Sequence, residues 1–463
     1  MKLQLAGLLL LGLVTFPSCK NSPSEEEPAQ FTESLAYRVQ ASTTHTSLPA
    51  LQSFVFASYN EYWLLIGGRT NGFHGFGNQQ DFPFKKANKF IYLYNTSTQS
   101  LDSMSVMSLP VALREQYTSS NMQHFQQGDY LYLCGGYGEL HAGTPNATWQ
   151  TFPTFSRVNV PDMVQAIIDH NDTALAMSVV YDSDDFERAT GGELFRLDNK
   201  FYLVVGHNFE GPYGGNHTQI YLDTVHVFTV TESPNSIDIN PSSFQYISDN
   251  LPDSVTQFRR RDLLVVPSIG SDKSTVGLTI YGGVFTSPVL HDTTKANQPF
   301  RNPIYLTNGT TPSYALDPSY TQRSNIYSSA YVTLYDSTNN VMYTTSFGGI
   351  GDTAIGAGDA FTKLILTLAR DNVSGTTTDI YNTNSLADFI GAESEFIPAW
   401  SNMYNADYDV LNYQALPQNQ EVLIGHIYGG ILSKGPSWDP NNNPTVPSNT
   451  VYEVYLTRNV TTN

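Results

Sequence analysis

SFVFASYNEYWLLIGG, residues 53–68, reads as two short apolar strands joined by a polar turn and closed by a pair of glycines. The turn carries Asn60, a residue type that tolerates the left-handed backbone a tight hairpin demands. In Trp63-Leu64-Leu65-Ile66 every position is apolar, where a half-exposed strand would alternate, so this strand is expected to be covered on both faces. A lone hairpin cannot supply two covers. Other sheets must lean on it from either side.

Five further segments share the layout: MQHFQQGDYLYLCGG (122–136), ELFRLDNKFYLVVGH (193–207), LLVVPSIGSDKSTVGLTIYGG (263–283), YVTLYDSTNNVMYTTSFGG (331–349) and LNYQALPQNQEVLIGHIYGG (411–430). The first glycine of each falls at 67, 135, 206, 282, 348 and 429, an even spacing that marks an internal repeat. A third strand of aromatic and β-branched residues follows in several copies, as in Phe90-Ile91-Tyr92-Leu93-Tyr94 and Val451-Tyr452-Glu453-Val454-Tyr455. The pattern resembles the kelch repeat, which places an Arg before the first strand and a double Gly after the second. In the third copy His207 stands where the second Gly is expected, and the family's Trp near the fourth strand is missing.

The fold class implied is all-β, a six-bladed kelch-type β-propeller. Residues 34–39, SLAYRV, precede the first hairpin, and 451–456 form a third strand with no fourth after it. Pairing the two would close the last blade with the N-terminal strand and remove two exposed edges. Pro161 to Ile168 is the exception to β structure: Pro at a first-turn position with apolar residues at helical spacing predicts a short helix.

Ahead of the repeats, Met1 and Lys2 lead into an apolar run from Leu3 to Phe16, shorter than the roughly 20 residues a spanning helix needs and suited to a signal peptide. Phe16-Pro17-Ser18-Cys19 resembles the lipobox of bacterial lipoproteins, which implies acylation of Cys19. The division expected is a signal peptide over 1–18, a lipidated tether over 19–32 and the propeller over 33–463. Lys20 and the acidic run Glu25-Glu26-Glu27 resemble the surface-export signal of Bacteroidetes lipoproteins, so the expected address is the outer membrane, lipid-anchored and surface-exposed, with the lipid as the only membrane contact. Cys134 then has no partner for an intrachain disulfide.

A net charge of −19 argues against a nucleic-acid partner held through phosphates. No HExxH, paired-Cys or EF-hand spacing supports a metal, no cofactor motif is present, and G-x-S-x-G is absent. The segments after the glycines are long and, by the repeat's symmetry, share one face. On this loop face His74, Phe76, His141, Phe209, Glu210, Tyr213 and Trp438 set rings beside hydrogen-bonding groups, which suits a glycan or a protein partner. The kelch resemblance also implies that the Arg before each first strand points to the central channel. Arg114, Arg188, Arg260 and Arg323 stand at that place, Arg260 within the run Arg259-Arg260-Arg261, and are candidates for an anion site or for ion pairs between blades. The function expected is a binding or scaffold module. The alternative is an enzyme on an acidic sugar, resembling the kelch-type sialic acid epimerases, with channel arginines holding the carboxylate.

Overall fold

The computed structural model describes residues 31–74, 82–213, 215–287, 298–324, 327–351, 360–399, 402–405, 408–438 and 444–462. Six sheets, antiparallel apart from one short parallel pair in the fifth, follow one another along the chain. Their first strands are Val55–Tyr59, Gln123–Gln127, Glu193–Leu197, Arg261–Ile269, Tyr331–Asp336 and Ser394–Pro398, and each pairs with the strand that carries the glycines. Five sheets have four strands; the fifth in chain order gains two short ones, Tyr404–Asn405 and Val410–Asn412, beside its first strand. Many small antiparallel sheets of this kind fit a β-propeller.

The all-apolar strands are explained by what covers them. Trp63 and Leu65 pack in an apolar cluster with Ile397, Tyr428 and Val451 of the sixth sheet, whereas Leu64 and Ile66 pack with Leu131 and Leu133 of the second. Tyr132 and Cys134, on the other face of that same strand, meet Phe201, Leu203 and Phe228 of the third sheet. Further clusters join the third to the fourth, the fourth to the fifth and the fifth to the sixth. Cys134 is a buried free thiol whose Sγ lies 3.4 Å from the Glu187 carbonyl, inside this packing.

The glycines hold neighbouring sheets together. Gly68 donates its amide to the Ser119 carbonyl (2.8 Å), Gly136 to Ala189 (2.9 Å), Gly206 to Arg260 (2.9 Å), Gly349 to Ile390 (3.0 Å) and Gly430 to Leu51 (2.8 Å). Each acceptor stands just before the first strand of the next sheet. The backbone is left-handed here, and a Cβ at Gly135 would lie 2.0 Å from the Ala189 carbonyl oxygen, which excludes a side chain. The same bond identifies the true equivalents in the third repeat. Gly206 occupies the second position of the pair and Val205, at φ 51°, the first, so His207 follows the pair and does not belong to it.

Phe31–Ala41 pairs antiparallel with Val451–Thr462, Tyr37 opposite Leu456 and Val39 opposite Val454, as the outermost strand of the sixth sheet. The expected helix runs Val160–Ile168, with Asn159 capping the Asp162 amide. A further helix, Val111–Tyr117, carries Arg114. Two segments expected as loops are instead strands: Tyr137–Leu140, Thr148–Thr151, His207–Glu210 and Thr218–Tyr221 form an accessory sheet on the glycine side. Among the described residues no helix is long and apolar enough to cross a membrane.

Candidate functional site

At or just before the start of each of the six first strands, one residue adopts a left-handed backbone: Ser53, Asn121, Gly191, Asp262, Ser328 and Glu393. Five of these are not glycine, and each such residue costs on the order of 1–3 kcal/mol. Five backbone hydrogen bonds link them in sequence, with none between Ser328 and Asp262. Asn121 donates to Ser53 (3.2 Å), Gly191 to Asn121 (3.4 Å), Asp262 to Gly191 (2.7 Å), Glu393 to Ser328 (2.9 Å) and Ser53 to Glu393 (3.3 Å). Ser53, Asn121 and Glu393 line cavities on both sides of this ring.

On the glycine side lies a cavity of about 60 Å³. Residues that directly follow the glycine positions shape it: Arg69, Tyr137 and His207 from the first three sheets, and Ile431 from the sixth. Phe73, His74, Phe82, Phe209, Tyr213 and Tyr327 complete the wall. The rings brace one another, with His74 to Tyr213 at 4.4 Å between centroids, Phe82 to Tyr137 at 5.2 Å and Tyr137 to Phe209 at 5.3 Å.

Two guanidinium groups face this space. Arg69 is 3% exposed, lies 4.8 Å over the Phe82 ring, and donates to Asn71 Oδ1 (3.0 Å) and the Pro83 carbonyl (3.2 Å). It has no carboxylate partner among the described residues, and burial lowers its pKa to about 10. Arg261 is paired with Asp262, donates through Nε to the Tyr221 hydroxyl at 3.2 Å and lies 5.1 Å from the Phe285 centroid. Glu393 accepts from Ser53 Oγ at 2.6 Å; burial first, then the charge of Asp262, raises its carboxyl to about 7. His207 is held neutral by burial and by the nearby Arg261 and Arg259.

Of the loop-face candidates, His74, Phe209 and Tyr213 line this cavity. Trp438 stands behind them against Phe73 at 5.2 Å. Glu210 is exposed, opposite Gln150 in the accessory sheet, and His141 is exposed beside Glu115, its Nδ1 3.7 Å from Oε1. Phe76 and Cys19 lie outside the described residues.

The four candidate arginines do not converge on the axis. Arg188 pairs with Asp185 at 2.7 Å and donates to the Thr151 carbonyl at 2.6 Å. Arg260 is fully buried and donates to the carbonyls of Gln257 (2.6 Å), Gly282 (3.0 Å) and Asn302 (2.8 Å), over the Phe300 ring. Burial without a carboxylate drops its pKa to about 9. Arg323 is exposed near Tyr381, and Arg114 sits half-buried on its helix; neither lines this cavity or the larger one described below. In the run Arg259-Arg260-Arg261 it is Arg261 that reaches the cavity. Arg69, the other, follows Gly68 directly, and aligning the residue after each glycine position across repeats is the signal that would have found it together with Tyr137 and His207.

Beyond the ring a larger cavity of about 460 Å³ runs between the six first strands. Its walls hold Glu193, Glu393, Glu395 and Asp409 among rings that include Phe56, Phe125, Phe195, Phe396 and Tyr331. Among the described residues no three of His, Cys, Asp or Glu are placed to hold a metal ion.

No family model matches the chain, and no curated protein matches it. Among solved structures, one titled "Structure of YjhT" aligns over 88% of this chain and 99% of its own, with 12% identity and a TM-score of 0.43.

Proposed function

We propose that this chain is a six-bladed kelch-type propeller, closed by its N-terminal strand and anchored by a lipid on Cys19 at the outer-membrane surface, that binds the acidic residue of a glycan in the glycine-side cavity. The observation that carries this reading is Arg69: a guanidinium stacked on Phe82, lining a ring-walled cavity, with no ion-paired carboxylate among the described residues. A buried cation so placed is completed by an external carboxylate, bound through charge-assisted hydrogen bonds. A volume of about 60 Å³ is close to that of two waters, which admits a carboxylate group rather than a whole sugar ring. The sugar ring would then rest on loop residues outside. The acidic net charge of −19 makes this local pair of arginines the means of selecting an anion.

Calorimetry with oligosaccharides ending in a uronate or a sialate, against neutral counterparts, tests the reading. Arg69→Gln should weaken the acidic ligand at least tenfold and leave neutral ones unchanged; equal binding of acidic and neutral ligands overturns it.

A second reading, an enzyme on an acidic sugar, is favoured by Glu393. Its carboxyl, raised to about 7, is suited to exchanging a proton near neutral pH beside Arg261 and Asp262. Exchange of an acidic sugar's anomers or epimers followed by NMR, lost in Glu393→Gln, would establish it; no exchange above the uncatalysed rate rejects it.

A further inference from the structure

The cavity on the far side of the backbone ring has a different chemistry. Its lining includes five carboxylates, Asp129, Glu193, Glu393, Glu395 and Asp409, and neither Lys nor Arg. Glu193 and Glu395 are half-buried and Asp409 is exposed, and none of the three makes a side-chain hydrogen bond or ion pair among the described residues. Thr333 adds a second sign of a missing partner. It is 1% exposed, lines the cavity, and its hydroxyl has no hydrogen bond among the described residues. These carboxylates and Thr333 face one cavity between the six first strands.

We propose that this axial cavity binds an organic ammonium ion, its charge set against Glu193, Glu395 and Asp409 and its carbon body against the surrounding aromatic rings. The placement of the groups favours an organic cation over a metal. A metal ion needs several oxygens converging to about 2.0–2.6 Å, and no such group exists among the described residues. Spread carboxylates with aromatic walls suit a larger, softer cation that takes part of its stabilisation from ring faces. The carboxylates also lie at more than one level. Glu193 and Glu395 start the inner strands of sheets three and six, whereas Asp409 precedes Val410, which pairs with Thr333 further along the fifth sheet. An elongated amine with more than one charge matches that distribution better than a compact one. Desolvation raises the carboxyls of Glu395 and Asp409 to about 8 and about 7 and lifts that of Glu193 well above the usual carboxylate range, so an entering cation would release protons. The site is separate from the glycan reading, sharing only Glu393 and the ring with it.

Calorimetric titration of the full chain with 1,4-diaminobutane at about pH 8 tests this, with 1,4-butanediol as the neutral twin and calcium chloride as the inorganic cation. Binding of the diamine alone is expected. No diamine binding, equal binding of the diol, or equal binding of calcium each overturns the proposal. These arms use the unmodified chain, so they decide it even where a variant fails to fold. Glu193→Gln combined with Glu395→Gln should weaken the diamine by about tenfold or more, while Asp162→Asn, which removes a charge from the exposed start of the 160–168 helix, should not. An unchanged affinity in the double variant also overturns it. Failure here leaves the acidic-glycan test untouched, because that test reads Arg69.

Discussion

The amide of Gly430 donates to the carbonyl of Leu51 at 2.8 Å, which ties the strand that ends the sixth repeat to the segment that opens the first. The same donor position and the same acceptor position recur between earlier sheets, from Gly68 to Ser119 and from Gly136 to Ala189. The relationship therefore belongs to the repeat and not to the termini. A second bond set, among residues such as Ser53, Asn121 and Glu393, lies inside it around the ring that separates the two cavities. Site geometry thus depends on sheet-to-sheet contacts throughout the chain.

The N-terminal strand should be indispensable to that continuity. Tyr37 is 1% exposed, packs edge-on against Phe347 at 5.7 Å between centroids, and accepts from Thr345 Oγ1 at 2.8 Å. Tyr37→Ala should cost about 3–5 kcal/mol, as for other large buried rings. Removing residues 31–41 should go further by leaving Val451–Thr462 as an open edge. Urea unfolding gives the first value, and size-exclusion chromatography of the truncated chain should show association.

Gly135→Ala probes the lock between the second and third sheets. The new Cβ would meet the Ala189 oxygen at 2.0 Å at a φ of 64°, so both sterics and backbone conformation oppose it. A loss of about 3 kcal/mol or more is expected in chemical denaturation. Gly128→Ala, also left-handed but with open space around it, should cost only about 1 kcal/mol.

How much of this could be read in advance depended on whether a feature was local. Five of the six hairpins were legible because turn chemistry and paired glycines are local signals, and the Val160–Ile168 helix because Pro161 and its apolar spacing are too. The sixth was not: Leu411 and Asn412, expected to open its first strand, pair with Leu334 and Tyr335 of the fifth sheet, and the strand opposite Glu421–Gly429 is Ser394–Pro398. The third repeat was misaligned by one residue. A search for glycine letters selects Gly206 and His207, whereas the position demands a left-handed backbone, which Val205 adopts against its own preference. The arginines were chosen by their place before the first strands, yet whether a guanidinium is consumed depends on carbonyls far away in sequence. Arg260 is taken up by Gly282 and Asn302. Arg69 and Arg261, more than a hundred residues apart, meet only because packing of the sheets brings both to one cavity.

Stability should fall as pH rises above neutrality. Glu393, Glu395, Asp409 and Glu187 have folded-state pKa values of about 7, 8, 7 and 9, each above its unfolded value. The folded chain therefore holds more protons, and stability present at low pH is lost as these groups ionise. His124 and His426, lowered to about 4 by burial, act in the opposite sense, but only below about pH 6.5 where the unfolded chain protonates. The melting temperature should then decline between about pH 6.5 and 8.5, and Glu395→Gln should flatten the decline. A flat profile in the unmodified chain would show that these carboxylates are already ionised or solvated.

Val205 offers the sharpest comparison, because two effects of similar size oppose each other at one residue. Its side chain is fully buried among Val204, Val225 and Leu263, and burial of a valine contributes about 1.5–3 kcal/mol. Its backbone, at φ 51°, carries a cost of about 1–3 kcal/mol that the glycines at 67, 135, 282, 348 and 429 do not bear. Val205→Gly removes both, so its net effect should stay within about 2 kcal/mol of zero despite deleting a core side chain. Val204→Gly, equally buried but in extended strand, loses the packing with no relief and should cost at least about 2 kcal/mol more. Equal losses for the two variants in urea unfolding would mean that the left-handed turn at Val205 is not under strain, and that the third repeat differs from its neighbours in more than one letter.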